Sequence, residues 1–369
     1  MYEIDELLKV MVKADASDLF VTLGAYPMLK IKGDVLPLKK EVITTENIQK
    51  LKQTLLSDDQ MKQLNKEMEL DYTYSLSGVG RFRINFFRQR NSDAFVVRRI
   101  VLEIQSLEDL SLPPMFGELV MQERGLVLVV GAAGSGKSTT LAAMIDHRNR
   151  HMSGHILTLE DPVEFLHSHK KSIVNQREVG QDTMSFHSAL RSALREAPSM
   201  LLIGEIRDEI TMSAALNFAE TGHLVLSTLH AINASQAIDR ILSFYEAIKH
   251  DMVRLQISQT LNAIIAQRLV PTTMDSRIAV WEILLSTARV RELVQRGDIE
   301  LLANTIASST MEGMKLFDQS IYDLYKENII TEETAITYAD RSTDLLLRIR
   351  SDEDKKRIIN IELLEEINE

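Results

Sequence analysis

Between residues 125 and 229 four short apolar runs recur, GLVLVV, HILTLE, SMLLIG and HLVLST. The text between them, TTLAAMIDHRNR, FHSALRSALREA and ITMSAALNFAE, reads as helix. Apolar runs alternating with helices predict a parallel sheet covered by helices. The first hundred residues read differently. Apolar Ile4, Leu7, Leu8 and Met11 predict a helix over 2–13, and DLFVTLG and PMLKIKGDVLPL read as strands with a turn at Gly33-Asp34. Two polar helices are expected over 45–57 and 58–68, then strands in LDYTYSL, RFRINFFRQR and AFVVRRI. In the second of these strands, period-two alternation puts Arg81 and Arg83 on one face and Phe82 and Ile84 on the other. From about residue 235 the pattern reads as mainly helical, closing on the charged stretch KKRIINIELLEEINE with Ile358, Ile361 and Leu364 on one flank. The expected class is therefore α/β. A small α+β unit occupies 1–100, a linker marked by Pro113-Pro114 spans 101–118, and a parallel-sheet domain runs over 119–369 with a helical later part.

Composition narrows the function classes. A chain of 369 residues holds about two to three domains, and 45% apolar residues is ordinary for a globular protein. No apolar run approaches the roughly 20 residues that span a bilayer, and the acidic, amphipathic MYEIDELLKV does not read as a secretory signal. The absence of cysteine excludes disulfides and thiolate metal sites and fits a reducing cytoplasm. A net charge of −11 argues against sequence-independent binding of nucleic acid, whose affinity comes from Lys and Arg meeting phosphates.

GAAGSGKS at 131–138 fits G-x-x-x-x-G-K-[ST] and lies between the apolar LVLVV and the helix-like TTLAAMI, the context a phosphate loop requires. Glycines let such a loop curl so that consecutive backbone N–H groups face phosphate oxygens, and the helix N-terminus adds partial positive charge. Lys137 is expected on the β- and γ-phosphates, and the Ser138 hydroxyl on Mg²⁺.

Acids follow two of the other apolar runs. TLEDPVEF puts Glu160, Asp161 and Glu164 past the end of a strand, where open parallel sheets bind ligands. A carboxylate there can orient and deprotonate the water that attacks a γ-phosphate. LLIGEIRD ends a third strand with Glu205, a group able to hold the Mg²⁺ shell or the nucleophile. The residues leave open which acid does which. ETGHLVLSTLH brackets a fourth strand with His223 and His230, and its polar tip, including Thr228, suits a γ-phosphate sensor. His147, His151 and His155, at four-residue spacing, read as a solvated helix end and not as a metal site. The Arg81/Arg83 face is either ordinary surface or a source of guanidinium groups for a γ-phosphate.

These four blocks, in this order and spacing, resemble the secretion-type hexameric ATPases, and within them the PilT/PilU family of type IV pilus retraction ATPases, on its PilU side. The resemblance extends from ASDLF to FDQSIYDLY. It implies a PAS-like N-terminal domain, a RecA-like ATPase domain and a homohexameric ring at the cytoplasmic base of a pilus, peripheral to the inner membrane and not inserted in it. It also implies ATP and ADP as nucleotides, Mg²⁺ as metal, and two partners, a PilT-like motor ATPase and an inner-membrane platform protein. The nucleotide set it implies is Gly131, Ala132, Ala133, Gly134, Ser135, Gly136, Lys137, Ser138 and Thr139, with Glu160 and His223. Its catalytic set is Glu164, Glu205, Arg81, Arg83 and His230, with Ser138 and Glu205 on the metal. Two alternatives stay open: an accessory ATP-binding protein that docks on a PilT-like hexamer, and a PilT-type principal retraction motor. Assembly-direction relatives carry a longer N-terminal region and a four-cysteine zinc module, which this chain lacks. A nucleic-acid translocase calls for a basic, aromatic-bearing channel, at odds with the acidic balance and single tryptophan.

Overall fold

The computed structural model describes residues 2–352 apart from 32, 39, 40, 101–103 and 275. It divides into two compact units that part after Ile104; residues Glu164–His167 group with the first unit. The stretch carrying Ile358, Ile361 and Leu364 lies outside the described residues.

The first unit is built on six strands, β1 (Asp18–Thr22), β2 (Met28–Ile31), β3 (Asp34–Pro37), β4 (Glu69–Leu76), β5 (Gly80–Gln89) and β6 (Ser92–Ile100). They form one antiparallel sheet in the order β3-β2-β1-β6-β5-β4. Alternation along β5 works as its sequence predicts: Phe82, Ile84 and Phe86 are fully buried, while Arg81 and Arg83 stand on the opposite face. The buried row packs with Leu7, Leu8 and Met11 of the helix Ile4–Lys13. Phe86 and Phe95, paired across β5 and β6, hold their rings 4.7 Å apart. The two polar helices run Thr45–Leu55 and Asp58–Glu67, and each begins with a capping box, Thr44 with Asn47 and Ser57 with Gln60.

In the second unit the strands are β7 (Gly125–Val130), β8 (His155–Glu160), β9 (Ile173–Glu178), β10 (Met200–Ile203), β11 (Leu224–Leu229), β12 (Leu261–Pro271) and β13 (Arg277–Leu285). The sheet order is β13-β12-β7-β11-β10-β8-β9, parallel throughout except for the antiparallel β12–β13 pair. Every residue of β7, β10 and β11 is buried, which explains why these strands read as unbroken apolar runs. Successive side chains still go to opposite faces. Leu126, Leu128 and Val130 pack with Met212, Leu216 and Ile238, whereas Val127 and Val129 pack with Phe116, Met144 and Ile145.

The region from about 235 departs from expectation. It is not simply helical, because β12 and β13 add a long hairpin to the sheet, and β9 extends its other edge. LNAIIAQRLVP is buried on both faces over most of its length, so it carries no alternation to separate strand from helix. Helices do fill the rest, among them Ala234–Leu242, His250–Thr260 and Phe317–Lys326.

Candidate active site

The phosphate loop leaves β7 at Gly131 and enters the helix Lys137–His151. Three glycines take left-handed or nearby backbone angles, Gly131 (φ 155), Gly134 (φ 75) and Gly136 (φ 88). At two of them space is as restrictive as angle. A Cβ on Gly131 would come within 2.5 Å of the Gln267 carbonyl oxygen, and one on Gly136 within 2.8 Å of Gln267 Nε2. At Gly134 a Cβ would meet nothing within 4 Å, so that glycine is required by angle alone. Lys137 Nζ donates to the carbonyls of Gly131 (2.9 Å) and Ala132 (2.8 Å), folding its ammonium over the loop mouth. Ser135 Oγ is buried without a hydrogen-bond partner among the described residues. A curled loop of this kind at a helix N-terminus, with a lysine over it, fits a polyphosphate. A cavity of about 650 Å³ opens beside it, lined by Gly136, Thr139, Leu269, Thr273, Arg277 and Asn328 among others.

Glu205 lies two residues beyond the end of β10, in the strand row next to β11. One carboxylate oxygen accepts from Arg207 Nε (2.7 Å) and Nη2 (2.6 Å), and the other meets His230 Nε2 at 3.1 Å. The hydrogen bond to Glu205 holds the Arg207 guanidinium above its ordinary pKa. His230 directly follows β11, which is hydrogen-bonded to β7, so the Glu205–His230 pair lies in the row of strand ends that continues into the phosphate loop. The tips are tied together, since Thr228 Oγ1 donates to the Gly204 carbonyl (2.6 Å) and Ser227 Oγ to that of Ile203 (2.6 Å). Asp208, the last residue of LLIGEIRD, serves the fold instead. It caps the helix Glu209–Glu220 by accepting from Thr211 N–H at 2.8 Å.

Glu160 closes β8, and its Oε1 accepts from Thr158 Oγ1 (2.6 Å) and Gln176 Nε2 (3.3 Å). Gly204 lets the β10 tip pass close by, since a Cβ there would lie 3.3 Å from Glu160 Cα. Glu164 is exposed and groups with the first unit, but the base of its loop is held in the second. Buried Glu178 accepts from Val163 N–H (3.2 Å) on one side. On the other, the fully buried Asn149 bonds the Ser168 carbonyl (2.7 Å) and the N–H groups of Lys170 (3.1 Å) and Ser172 (3.3 Å).

Two expected residues have partners of their own. His223 precedes β11 and so lies at the amino edge of the sheet, opposite to His230. Its Nδ1 is 3.1 Å from both the Phe218 carbonyl and Thr221 Oγ1, and its ring stands edge-on to Phe218. Six strand residues separate the two histidines, roughly 20 Å at 3.3 Å per residue. Within one chain His223 is therefore not part of the phosphate-loop site. Arg83 is engaged in its own sheet, where its Nε donates to both Asp71 oxygens (3.1 and 2.9 Å). Of the three spaced histidines, His147 and His151 sit at the end of the helix with rings 4.3 Å apart, and His155 opens β8. Among the described residues no group of three His, Asp or Glu side chains is disposed to hold a metal. A Mg²⁺ ion bound here would therefore draw on phosphate oxygens as well as protein groups, as is usual for this ion.

Two residues escaped the sequence reading. Gln267 on β12, 2% exposed, donates to the Ser135 carbonyl (2.9 Å) and accepts from Thr140 Oγ1 (2.8 Å). Glu282 on β13 is 5% exposed and accepts from Ala234 N–H (2.8 Å), in the helix that follows His230. Burial pushes the Glu282 carboxyl up to about 7, against the lowering effect of that hydrogen bond. The signal for both was a polar residue interrupting an apolar stretch, AIIAQRLV and VWEILL.

A phosphate loop on an inner parallel strand, with a carboxylate and a histidine at the neighbouring strand ends, defines a RecA-like P-loop ATPase. Within that class the chain belongs to the Type II/IV secretion system protein family, whose pattern it matches over residues 3–333. It is 44% identical to the type IV pilus ATPase PilU of Pseudomonas aeruginosa, over 94% of this chain and 91% of that one. To the type IV pilus retraction ATPase PilT of the same organism it is 39% identical, over 90% and 97%. A crystal structure of the pilus retraction motor PilT with bound ADP superposes with a TM-score of 0.86 at 39% identity, covering 92% of this chain and 98% of that one. The Legionella pneumophila ATPase DotB gives 0.79 at 26% identity, over 90% and 93%.

Proposed function

We propose that this chain is a Mg²⁺-dependent ATPase of a type IV pilus machinery that works as a homohexamer and powers or assists pilus retraction. The observation that carries the reading is the Glu205–His230 pair at the strand ends that continue into the phosphate loop. In this reading the loop amides from Ala132 to Thr139 and the Lys137 ammonium hold the polyphosphate, and the adjacent cavity receives the nucleoside. Ser138 and Glu205 hold Mg²⁺, which when bound neutralises charge on the phosphoryl oxygens. Glu164 and Glu205 divide the remaining work, with one orienting and deprotonating the attacking water and the other steadying the metal shell. His230, bonded to Glu205, registers the γ-phosphate. Arg81 and Arg83 supply guanidinium groups that stabilise charge in the transition state. Hydrolysis then shifts the first unit as a rigid body against the second, and a closed ring of such shifts delivers a mechanical stroke.

Identity of 44% to the Pseudomonas PilU, against 39% to PilT, supports a PilU-like role beside a PilT-like motor. The platform protein of the inner membrane is the proposed load, and the bacterial cytoplasm the proposed location. Among the described residues no helix is long and apolar enough to cross a membrane. A second reading keeps the chain as an accessory protein that binds ATP and docks on a PilT-like hexamer with little turnover of its own, in which the Arg207 and His230 contacts hold Glu205 at rest.

Phosphate release by the purified chain, with and without a PilT-like partner, separates the two readings. Glu205→Gln is expected to bind ATP normally and to lower turnover by two or more orders of magnitude. Undiminished turnover would remove Glu205 from the mechanism.

A further inference from the structure

We infer that Gln267, a residue of the β12–β13 hairpin, is a positioning residue for the phosphate loop, turning the Gly136 N–H toward the phosphate it binds. The inference rests on the reading of the chain as an ATPase. Strand β12 lies parallel to β7 with Ala266 opposite Val130, so the next residue, Gln267, faces the start of the loop at Gly131. Its backbone and side chain then meet the loop at both ends. The Gln267 carbonyl occupies the space that a Cβ on Gly131 would need, and its Nε2 the space that a Cβ on Gly136 would need.

Inside that fit, the amide makes two hydrogen bonds and is almost wholly buried. Nε2 donates to the Ser135 carbonyl at 2.9 Å, and Oε1 accepts from the equally buried Thr140 hydroxyl at 2.8 Å. Thr140 belongs to the first turn of the helix that follows the loop. The Ser135 carbonyl fixes which end of the Gln267 amide is which, because a carbonyl can only accept, and the Thr140 hydroxyl then donates to the amide oxygen. The amide nitrogen is thereby aimed at Ser135.

The consequence follows from the planarity of the peptide unit. In a trans peptide C=O and N–H point in opposite directions. Drawing the Ser135 carbonyl inward onto Gln267 sends the Gly136 N–H outward, to the side where loop amides collect an anion. Freed of that bond, the Ser135–Gly136 peptide can rotate at Gly136, where the absence of a side chain makes the alternative angles accessible. A rotated peptide presents a carbonyl oxygen to the phosphate.

The test is Gln267→Met, which keeps length and apolar bulk but makes neither bond. Dissociation constants for ATP, ADP and adenosine are measured by competition against a fluorescent ATP analogue, well below the Tm of each protein. The expected result is about tenfold weaker binding of ATP and ADP, equivalent to about 1.4 kcal/mol, with adenosine unaffected. A residue that merely supports the fold would leave all three constants unchanged in the folded protein, and that outcome overturns the inference, as does an equal loss for adenosine. If Gln267→Met does not fold, Thr140→Val carries the test by unlatching the amide: weaker ATP binding with adenosine unaffected supports the inference, and unchanged ATP binding overturns it. A wild-type chain that binds no ATP would instead remove the ATPase reading itself.

Discussion

Glu282→Gln is expected to stabilise the ATPase domain, and to do so only above mildly acidic pH. The carboxyl of Glu282 sits on β13, 5% exposed, with burial as the dominant influence on its proton. Around it, Arg268 favours the charged form, while Asp340 and Asp318 oppose it, and the balance leaves the group titrating at about 7 instead of 4.5. Because the folded chain keeps its proton longer than the unfolded one, stability falls as pH rises through the interval between these values. Each pH unit in that window costs about 1.4 kcal/mol, or about 3 kcal/mol across it. Below pH 4.5 both states are protonated and the substitution changes little. Above about 7 the folded protein carries a buried charge that glutamine lacks, while glutamine retains an oxygen to accept from Ala234 N–H. Trp281, the single tryptophan, neighbours Glu282 on β13, so its fluorescence reports unfolding of this part of the molecule. Denaturant melts of both proteins from pH 4.5 to 8.5 give the difference directly. It is expected to grow from near zero to about 3 kcal/mol in favour of the variant. A difference that does not vary with pH, or a wild type more stable at pH 8, would refute the placement of the carboxyl.

Three further outcomes follow from geometry. Gly136→Ala meets Gln267 Nε2 at 2.8 Å as well as an unfavourable φ, whereas Gly134→Ala meets the angle alone, so the first is expected to lose more stability than the roughly 1 kcal/mol of the second; equal melting temperatures would contradict the contact. Asn149→Leu leaves the Ser168 carbonyl and the Lys170 and Ser172 N–H groups without their partner, costing about 3 kcal/mol. It should also speed proteolysis of the 164–172 segment, and an unchanged cleavage rate would count against the clamp. For Arg83→Ala the exposed pair with Asp71 limits the stability change to less than about 1 kcal/mol. If Arg83 serves the γ-phosphate as proposed, turnover falls by about 10³ while Asp71→Ala leaves it near wild type, and equal small effects would return Arg83 to a surface role.

What could be read along the chain were features whose cause is local. The phosphate loop needs glycines at fixed offsets because backbone angle is a property of the residue itself, and Gly134 shows that requirement without any neighbour. Alternation along β5 was legible because one of its faces meets the core and the other does not. β12 was not legible for the opposite reason: a strand covered on both faces loses the period that distinguishes it from a buried helix. The histidines divide in the same way. Their sequence spacing brackets β11 symmetrically, but a strand has two ends, and only the end shared with the loop after β7 reaches Glu205.

From its sequence alone this protein was an α/β nucleotide-binding chain with a phosphate loop, acids after its strands and a detailed likeness to pilus motors, because each of those signals is written in consecutive residues. Tertiary structure decided which of them meet. It joined His230 and not His223 to Glu205, engaged Arg83 with Asp71, and brought Gln267 against a loop more than a hundred residues earlier in the chain. Contacts of that kind depend on strand order and register, which sequence distance does not encode.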